Sequence, residues 1–198
     1  NLTVYDDALT SSLAQDAGRI AKVQVVGSSD TVKAVTLFMA AVGRAVLELM
    51  LVRGELMQRK QMIEFTEGLR DKASKELDRY IEMMKSLNLA GNTDTAVWDT
   101  INRNVEFETK QRDDLQSEID ALYDTQTTEH LAFTEQCLNR HFEISELLPD
   151  AVLSVRRELE LEISDDEYLN IFNDNLAEGR KAFAEFLENL RAKVAETD

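Results

Sequence analysis

The sequence has few of the residues that interrupt helices or cross-link chains. Among its 198 residues there are one proline, one cysteine and seven glycines. A single cysteine, Cys137, cannot form a disulfide within the chain or a multi-thiolate zinc site, which excludes disulfide frameworks and zinc ribbons. A reducing compartment fits this cysteine count, so we expect a cytoplasmic location. Long helices are permitted almost everywhere, because proline, found only at position 149, is their strongest interrupter.

Sequence motifs for nucleotide and hydrolytic chemistry are also lacking. The scattered glycines form no phosphate-binding loop, and neither the zinc-protease helix motif nor a nucleophile elbow occurs. Two histidines alone point to no catalytic set. We therefore predict that the protein is not an enzyme, and we predict no catalytic, cofactor-binding or metal-binding residues.

Basic residues are scarce in the second half of the chain. The formal net charge is −16, and residues 92–198 contain 26 acidic and 10 basic residues, whereas residues 1–91 contain 12 of each. An acidic surface repels phosphate backbones and anionic lipid, so we predict no nucleic-acid partner and regard a membrane partner as disfavoured. A basic protein partner for the acidic half remains open. Solvated helix faces are the more ordinary role for such charge.

The apolar periodicity and the turn residues predict an all-α protein. Helices are expected at about residues 5–26, 31–88, 94–147, 151–163 and 165–195, and residues 22–26 also fit a short extended segment because their pattern alternates. Two long amphipathic helices should form an elongated antiparallel bundle with shorter flanking helices. No linker or repeat divides the chain, so we predict a single domain over residues 1–198.

The apolar positions of the long helices recur in steps of three and four residues. In the second predicted helix they are Val35, Phe38, Val42, Ala45, Leu49, Val52, Leu56, Ile63, Ala73, Leu77, Tyr80, Met84 and Leu87. In the fifth they are Leu169, Phe172, Leu176, Gly179, Phe183, Phe186, Leu190 and Val194. Stripes of this kind pack against other helices, within the chain or between chains.

Residues 34–52 form the most apolar segment, with 15 apolar residues among 19. The segment is long enough to cross a bilayer, but Arg44 and Glu48 lie near its centre, where each charge costs about 2.5 to 3.5 kcal/mol on insertion scales. A central helix of the bundle is therefore the favoured interpretation, and a membrane-inserting element is the alternative.

One face of the third predicted helix carries His130, Thr134, Cys137 and His141. Cys137 and His141 have the spacing of a metal-binding pair, but the glutamate that precedes histidine by three residues in di-iron bundles is absent. We therefore expect Cys137 to pack as a small apolar residue and the histidines to lie at the edge of the seam or in solvent.

Three further groups have a functional and a structural interpretation. The acidic residues 165–167 and the polar residues 173–175 resemble calcium ligands in composition only, so helix capping and polar surface are favoured. Trp98, in the first turn of the third helix, should fasten a loop rather than line a ligand pocket.

We predict that the protein is a non-catalytic helical bundle that acts in protein–protein interaction or scaffolding and self-associates into a homo-oligomer. One alternative is a ligand-binding sensory bundle excised from a membrane receptor, with a pocket lined by Arg59, Arg70 or Trp98. A second alternative is a membrane-active protein that uses residues 34–52. A third is an acidic mimic of nucleic acid that occupies a basic groove.

Overall fold

The computed structural model describes Lys22, residues 25–161 and residues 164–195. Within these described residues, four helices of eight or more residues follow one another: α1 (Ser29–Leu89), α2 (Thr95–Ser145), α3 (Leu148–Glu158) and α4 (Asp165–Ala195). The part of the chain that the structure describes contains no strand. The predicted all-α helical bundle with two long helices is confirmed.

The helix bounds agree with the sequence periodicity except around α3. That helix begins at Leu148 with Pro149 in its first turn and ends at Glu158, whereas the sequence predicted residues 151–163. Proline fits a first helical turn because the backbone N–H it lacks has no partner there. Of the predicted helix over residues 5–26, Lys22, Val25 and Val26 are described and helical, and the remaining residues lie outside the described residues.

Contacts within the chain divide it into two compact units. The first unit comprises the described residues of Asn1–Met50 and Thr134–Asp198, and the second comprises Leu51–Phe133. Both α1 and α2 contribute residues to each unit. The organisation as a single domain stays a prediction, and we describe each unit by itself.

The second unit is an antiparallel hairpin of α1 and α2. Arg59 contacts Glu129, Glu67 accepts a hydrogen bond from Tyr123, and Arg70 donates to Gln116, so partners on α2 descend in number as those on α1 rise. The buried residues of this unit are Leu56, Ile63, Thr66, Ala73, Leu77, Ile101 and Ile119. They form the single seam between the two helices, as the stripe of the second predicted helix indicated.

The turn between α1 and α2 ends one helix and begins the next. Gly91 has φ +65° and follows α1 as its left-handed cap, and the N–H of Asn92 returns to the carbonyl of Leu87 at 3.0 Å. Asp94 caps α2 by accepting from the N–H of Ala96 at 2.9 Å. The indole N–H of Trp98 donates to the carbonyl of Asn92 at 2.9 Å. Trp98 therefore fastens this loop, as the sequence predicted.

In the first unit, α2 contacts both α1 and α4. Arg140 pairs with Glu48 of α1 at 2.8 Å, and the rings of Phe142 and Phe183 of α4 lie 5.8 Å apart. The buried residues of this unit are Thr31, Ala45, Pro149, Ala151, Leu153 and Leu187. The segment 148–158 thus closes the unit beside the beginning of α1.

The apolar face of α4 differs from the predicted stripe at one position. Leu187 is buried and Phe186 is exposed, so the stripe runs through Phe183, Leu187, Leu190 and Val194. Steps of three and four residues are both compatible with a helical face, and two adjacent apolar residues leave the sequence pattern undecided between them. The prediction of Phe186 in the stripe is wrong for this reason.

The turn after α3 contains a strained backbone conformation at Glu160. Glu160 has φ +51°, and the N–H groups of Glu160 and Leu161 bond back to the carbonyls of Arg157 and Arg156. This arrangement favours glycine, because a left-handed conformation costs an L-residue roughly 1 kcal/mol or more.

We expect Glu160→Gly to raise the free energy of unfolding by about 0.5 kcal/mol, the conformational gain being partly offset by the added freedom of the unfolded chain. Urea unfolding measures the change. Glu160→Ala is the control, since alanine keeps the Cβ atom and should bring no gain. An equal gain from both variants would contradict the assignment of strain to this backbone conformation.

Candidate interaction surface

A second face of α1, separate from its buried stripe, remains exposed in the second unit. Residues of this face follow one another in steps of three and four residues, and Met62 is an added neighbour of Gln61. We call these seven residues the exposed face: Leu51, Gly54, Gln58, Gln61, Met62, Phe65 and Gly68. Every one of them is exposed. Residues at this spacing share one side of a helix. The exposed face is therefore a continuous strip beside the hairpin seam.

Large apolar side chains on the exposed face are open to solvent. Leu51 is 73% exposed and Phe65 is 64% exposed. Isolated apolar side chains are common on protein surfaces, but contiguous apolar patches usually mark interaction sites. None of the seven residues is charged. The strip is thus apolar and uncharged on a protein with a net charge of −16.

Two glycines on the exposed face have no packing neighbour in the chain. A Cβ atom placed on Gly54 or Gly68 would meet nothing within 4 Å. A glycine inside a helix weakens it by about 1 kcal/mol relative to alanine. No described part of the chain approaches these positions closely enough to require glycine. Gly54 instead leaves a shallow gap between Leu51 and Met62, and Gly68 leaves one beyond Phe65.

In the first unit, α1 also carries exposed apolar side chains. Leu37, Ala40 and Leu47 are exposed, and Arg44 lies among them. The most apolar 18-residue window of α1 has a mean hydropathy of 1.9, and 6% of it is buried. By length and composition alone this helix could cross a membrane. Core helices of soluble proteins and signal sequences share these two properties, so the window by itself decides nothing.

The negative charge of Glu48 is balanced by Arg140 within the first unit. Its Oε2 lies 2.8 Å from Nη2 of Arg140 in an ion pair that lacks the direction of a hydrogen bond, and Arg140 also pairs with Glu143 at 2.5 Å. Hydrogen bonding to Glu143 raises the pKa of Arg140 above its ordinary value. The charge of Glu48 is therefore compensated by a contact between α1 and α2.

A cleft of about 390 Å³ lies between α1 and α3 in the first unit. Leu37, Leu147 and Leu153 contribute apolar surface, while Lys33 and Asp150 contribute charges of both signs. Arg157 also lines it and pairs with Asp165 at 2.5 Å. Its charges of opposite sign select no particular class of ligand.

Arg59, named above as a residue that could line a ligand pocket, has a partner in the hairpin. Its Nε and Nη2 donate to the two carboxylate oxygens of Glu129 at 3.1 and 2.5 Å. This hydrogen bonding lowers the pKa of Glu129 below its usual value. The pair therefore contributes stability above the pKa of an unfolded glutamate, and that contribution is lost as the pH falls through the lowered pKa.

Arg70 and Trp98 are engaged in the same unit. Arg70 donates to Gln116 at 3.0 Å and to Asp71 at 2.7 Å, and Trp98 donates to the carbonyl of Asn92. These bonds fasten the hairpin and its turn. The hypothesis of a ligand pocket built on Arg59, Arg70 or Trp98 gains no support from these bonds.

The face of α2 with the histidines is partly exposed. His130 and His141 are exposed, whereas Thr134 and Cys137 are half-buried. Burial raises the pKa of the Cys137 thiol. Within residues 25–161 and 164–195, no group of three or more His, Cys, Asp or Glu side chains could hold a metal ion. The exposure of both histidines and the partial burial of Cys137 agree with the expected places of these side chains on the helix.

The two clusters with calcium-like composition serve as helix cap and helix surface. Ser164 accepts from the N–H of Glu167 at 3.4 Å, and Asp165 pairs with Arg157. Residues 173–175 are exposed on α4. The capping interpretation is confirmed for the first cluster.

The sequence contains a signal for the exposed face that the predicted stripe leaves out. Leu51, Met62 and Phe65 are large apolar residues that fall outside the predicted stripe of the second helix. A second set at the same spacing indicates a second apolar face. Comparisons with protein-family models, with curated proteins and with solved structures found no match to this chain.

Proposed function

We propose that the protein is a non-catalytic helical scaffold in the cytoplasm that self-associates through the exposed face. The observation that carries this proposal is the exposure of Leu51, Met62 and Phe65 along one side of α1. Burying such side chains between chains removes apolar area from water, which is the main driving force of association.

The distribution of charge supports association through α1 rather than α2. Residues 51–89 contain eight basic and seven acidic residues, whereas residues 95–133 contain three basic and nine acidic residues. Chains of net charge −16 repel one another, and that repulsion is weakest where α1 is presented. The acidic α2 and the acidic C-terminal half stay available for a basic protein partner, which we propose as the second interaction.

The proposal is tested by replacing one phenylalanine of the exposed face. We expect Phe65→Gln to raise the dissociation constant of the oligomer by about tenfold or more, as for an aromatic interface residue. Light scattering over a wide range of protein concentrations gives the mass and the constant. Because Phe65 is already 64% exposed, the change should leave the fold of the single chain intact.

Phe107→Gln is the matched control. Phe107 lies on α2 and is 63% exposed, so the two substitutions remove nearly equal exposed area from different faces. We expect Phe107→Gln to leave the constant unchanged. A parent protein that is monomeric at all concentrations contradicts the proposal, and release of dye from liposomes by that monomer would support the membrane-active alternative.

A further inference from the structure

We infer that the occupant of the exposed face is the same face of a second copy, lying antiparallel, with Phe65 of each copy seated over Gly54 of the other. This inference rests on the proposed self-association and specifies its geometry. It uses only residues of the hairpin unit, all of them on α1.

Antiparallel pairing matches large side chains to glycines at both ends of the strip. Leu51 and Phe65 are fourteen residues apart, and so are Gly54 and Gly68. An alignment that places Phe65 opposite Gly54 of the second copy therefore also places Leu51 opposite Gly68. Both glycines have open space in front of them, and both large side chains are exposed. Leu51 and Phe65 of one copy thus each meet a gap in the other.

A parallel pairing in register lacks this complementarity. It places Gly54 against Gly54 and Phe65 against Phe65, so that gaps meet gaps and projections meet projections. Helix pairs are stabilised when side chains of one fill the spaces of the other. The antiparallel arrangement also has the self-complementary, closed form that most dimers adopt, because each contact occurs twice about a two-fold axis.

The charges along the strip are compatible with this alignment. The same alignment brings Glu55 of one copy level with Glu64 of the other on opposite flanks of the pair, and the neighbour on the same flank is Met62 for Glu55 and Met57 for Glu64. Glu64 also pairs with Lys60 of its own chain at 3.7 Å. The strongly acidic α2 of each copy is kept away from the contact. A contact through α1 therefore avoids the repulsion that a contact between the two acidic α2 helices would bring.

The centre of the contact is polar and fixes the register. The same alignment places Gln58 of one copy opposite Gln61 of the other, on both sides of the axis. A glutamine amide has both donors and acceptors, so two facing amides satisfy each other. A slip of four residues would place Gln58 against Phe65 and Gln61 against Met62, and would leave the amides without polar partners. A single polar layer is known to specify alignment in helix pairs.

Disulfide cross-linking tests the alignment. The proteins carry Cys137→Ser, and then either Gln58→Cys or Gln61→Cys, with an affinity tag on one of them. These variants retain Leu51, Phe65 and both glycines. We expect the mixture to form a cross-linked dimer of one tagged and one untagged chain, in about tenfold excess over the dimers that either variant forms alone, because a disulfide needs Cα atoms within about 7 Å.

The outcomes separate this inference from the proposal on which it rests. Cross-linking of each variant with itself would mean parallel pairing in register and would overturn the antiparallel geometry. Variants that are dimeric by light scattering but give no mixed cross-link would overturn it as well. A parent protein without any oligomer would overturn both the geometry and the proposed function.

A second variant tests the proposed contact of Phe65 with Gly54 of the second copy and introduces no cysteine. Gly54→Leu should stabilise the helix of the single chain yet weaken the dimer by about tenfold, because leucine fills the gap. Gly43→Leu is the matched control, since Gly43 also faces open space but lies outside the exposed face. Equal dimer constants for Gly54→Leu and the parent protein would overturn the seat.

Discussion

Replacing Ile119 by alanine is expected to lower the free energy of unfolding by about 3 kcal/mol, within the range that buried isoleucine-to-alanine changes give. Ile119 is 2% exposed and is the largest fully buried side chain in the part of the chain that the structure describes. It belongs to the hairpin seam, where two helices alone supply the apolar surroundings. Truncation removes the transfer free energy of the lost methyl groups and leaves a cavity. Urea unfolding followed by circular dichroism measures the loss.

Ile81→Ala is the matched control for this prediction. Ile81 lies in the same unit and is 37% exposed, so the same change of side chain removes less buried area. We expect it to lower the free energy of unfolding by roughly 1 kcal/mol. Equal losses from Ile119→Ala and Ile81→Ala would contradict the burial that distinguishes the two positions.

The periodicity of α1 predicted the fold well because one physical constraint dominates it. A residue that faces the seam must be apolar, and the spacing of such residues reports the helix directly. Ala45, Leu56, Ile63, Ala73 and Leu77, all predicted for the stripe, are buried. The helix ends were predicted for a related reason, since Gly91 and its neighbours favour a turn wherever they occur.

Other features depend on contacts between distant residues, which a linear pattern does not contain. The N–H of Ser28 donates to Glu158 at 2.7 Å and the hydroxyl of Thr31 donates to the carbonyl of Ser154 at 3.2 Å, although about 130 residues separate Ser28 from Glu158. These contacts hold α3 against the first turn of α1. The sequence reported only that a short amphipathic helix follows Pro149.

The candidate site was less predictable than the fold, because residue type alone does not distinguish an exposed apolar residue from a buried one. Periodicity assigned Val52, Leu56 and Ile63 to a face that packs, yet it could not say whether Phe65 meets solvent, another helix or another chain. Only the arrangement of α2 decides which face is left over. The structure is therefore needed to identify the face of α1 that could pair with another chain.

Replacing Leu153 by alanine is expected to lower stability by about 3 kcal/mol, through the same loss of buried contact. Leu153 is 5% exposed and lies in the middle of α3, in the unit that does not contain Ile119. Leu159→Ala is the control, because Leu159 is 62% exposed at the end of the same helix. Urea unfolding again gives the change, and a control with an equal loss would contradict a core role for α3.

Taken together, Leu153→Ala and Ile119→Ala test whether the chain unfolds as one domain. Because α1 and α2 contribute residues to both units, the unfolding of either unit shortens both long helices and breaks the hydrogen bonds of the turns that unfold. We expect a single transition that both variants shift to lower urea with an unchanged slope, as two-state unfolding requires. Two separate transitions, each shifted by only one of the variants, would overturn the single-domain prediction and assign an independent stability to each unit.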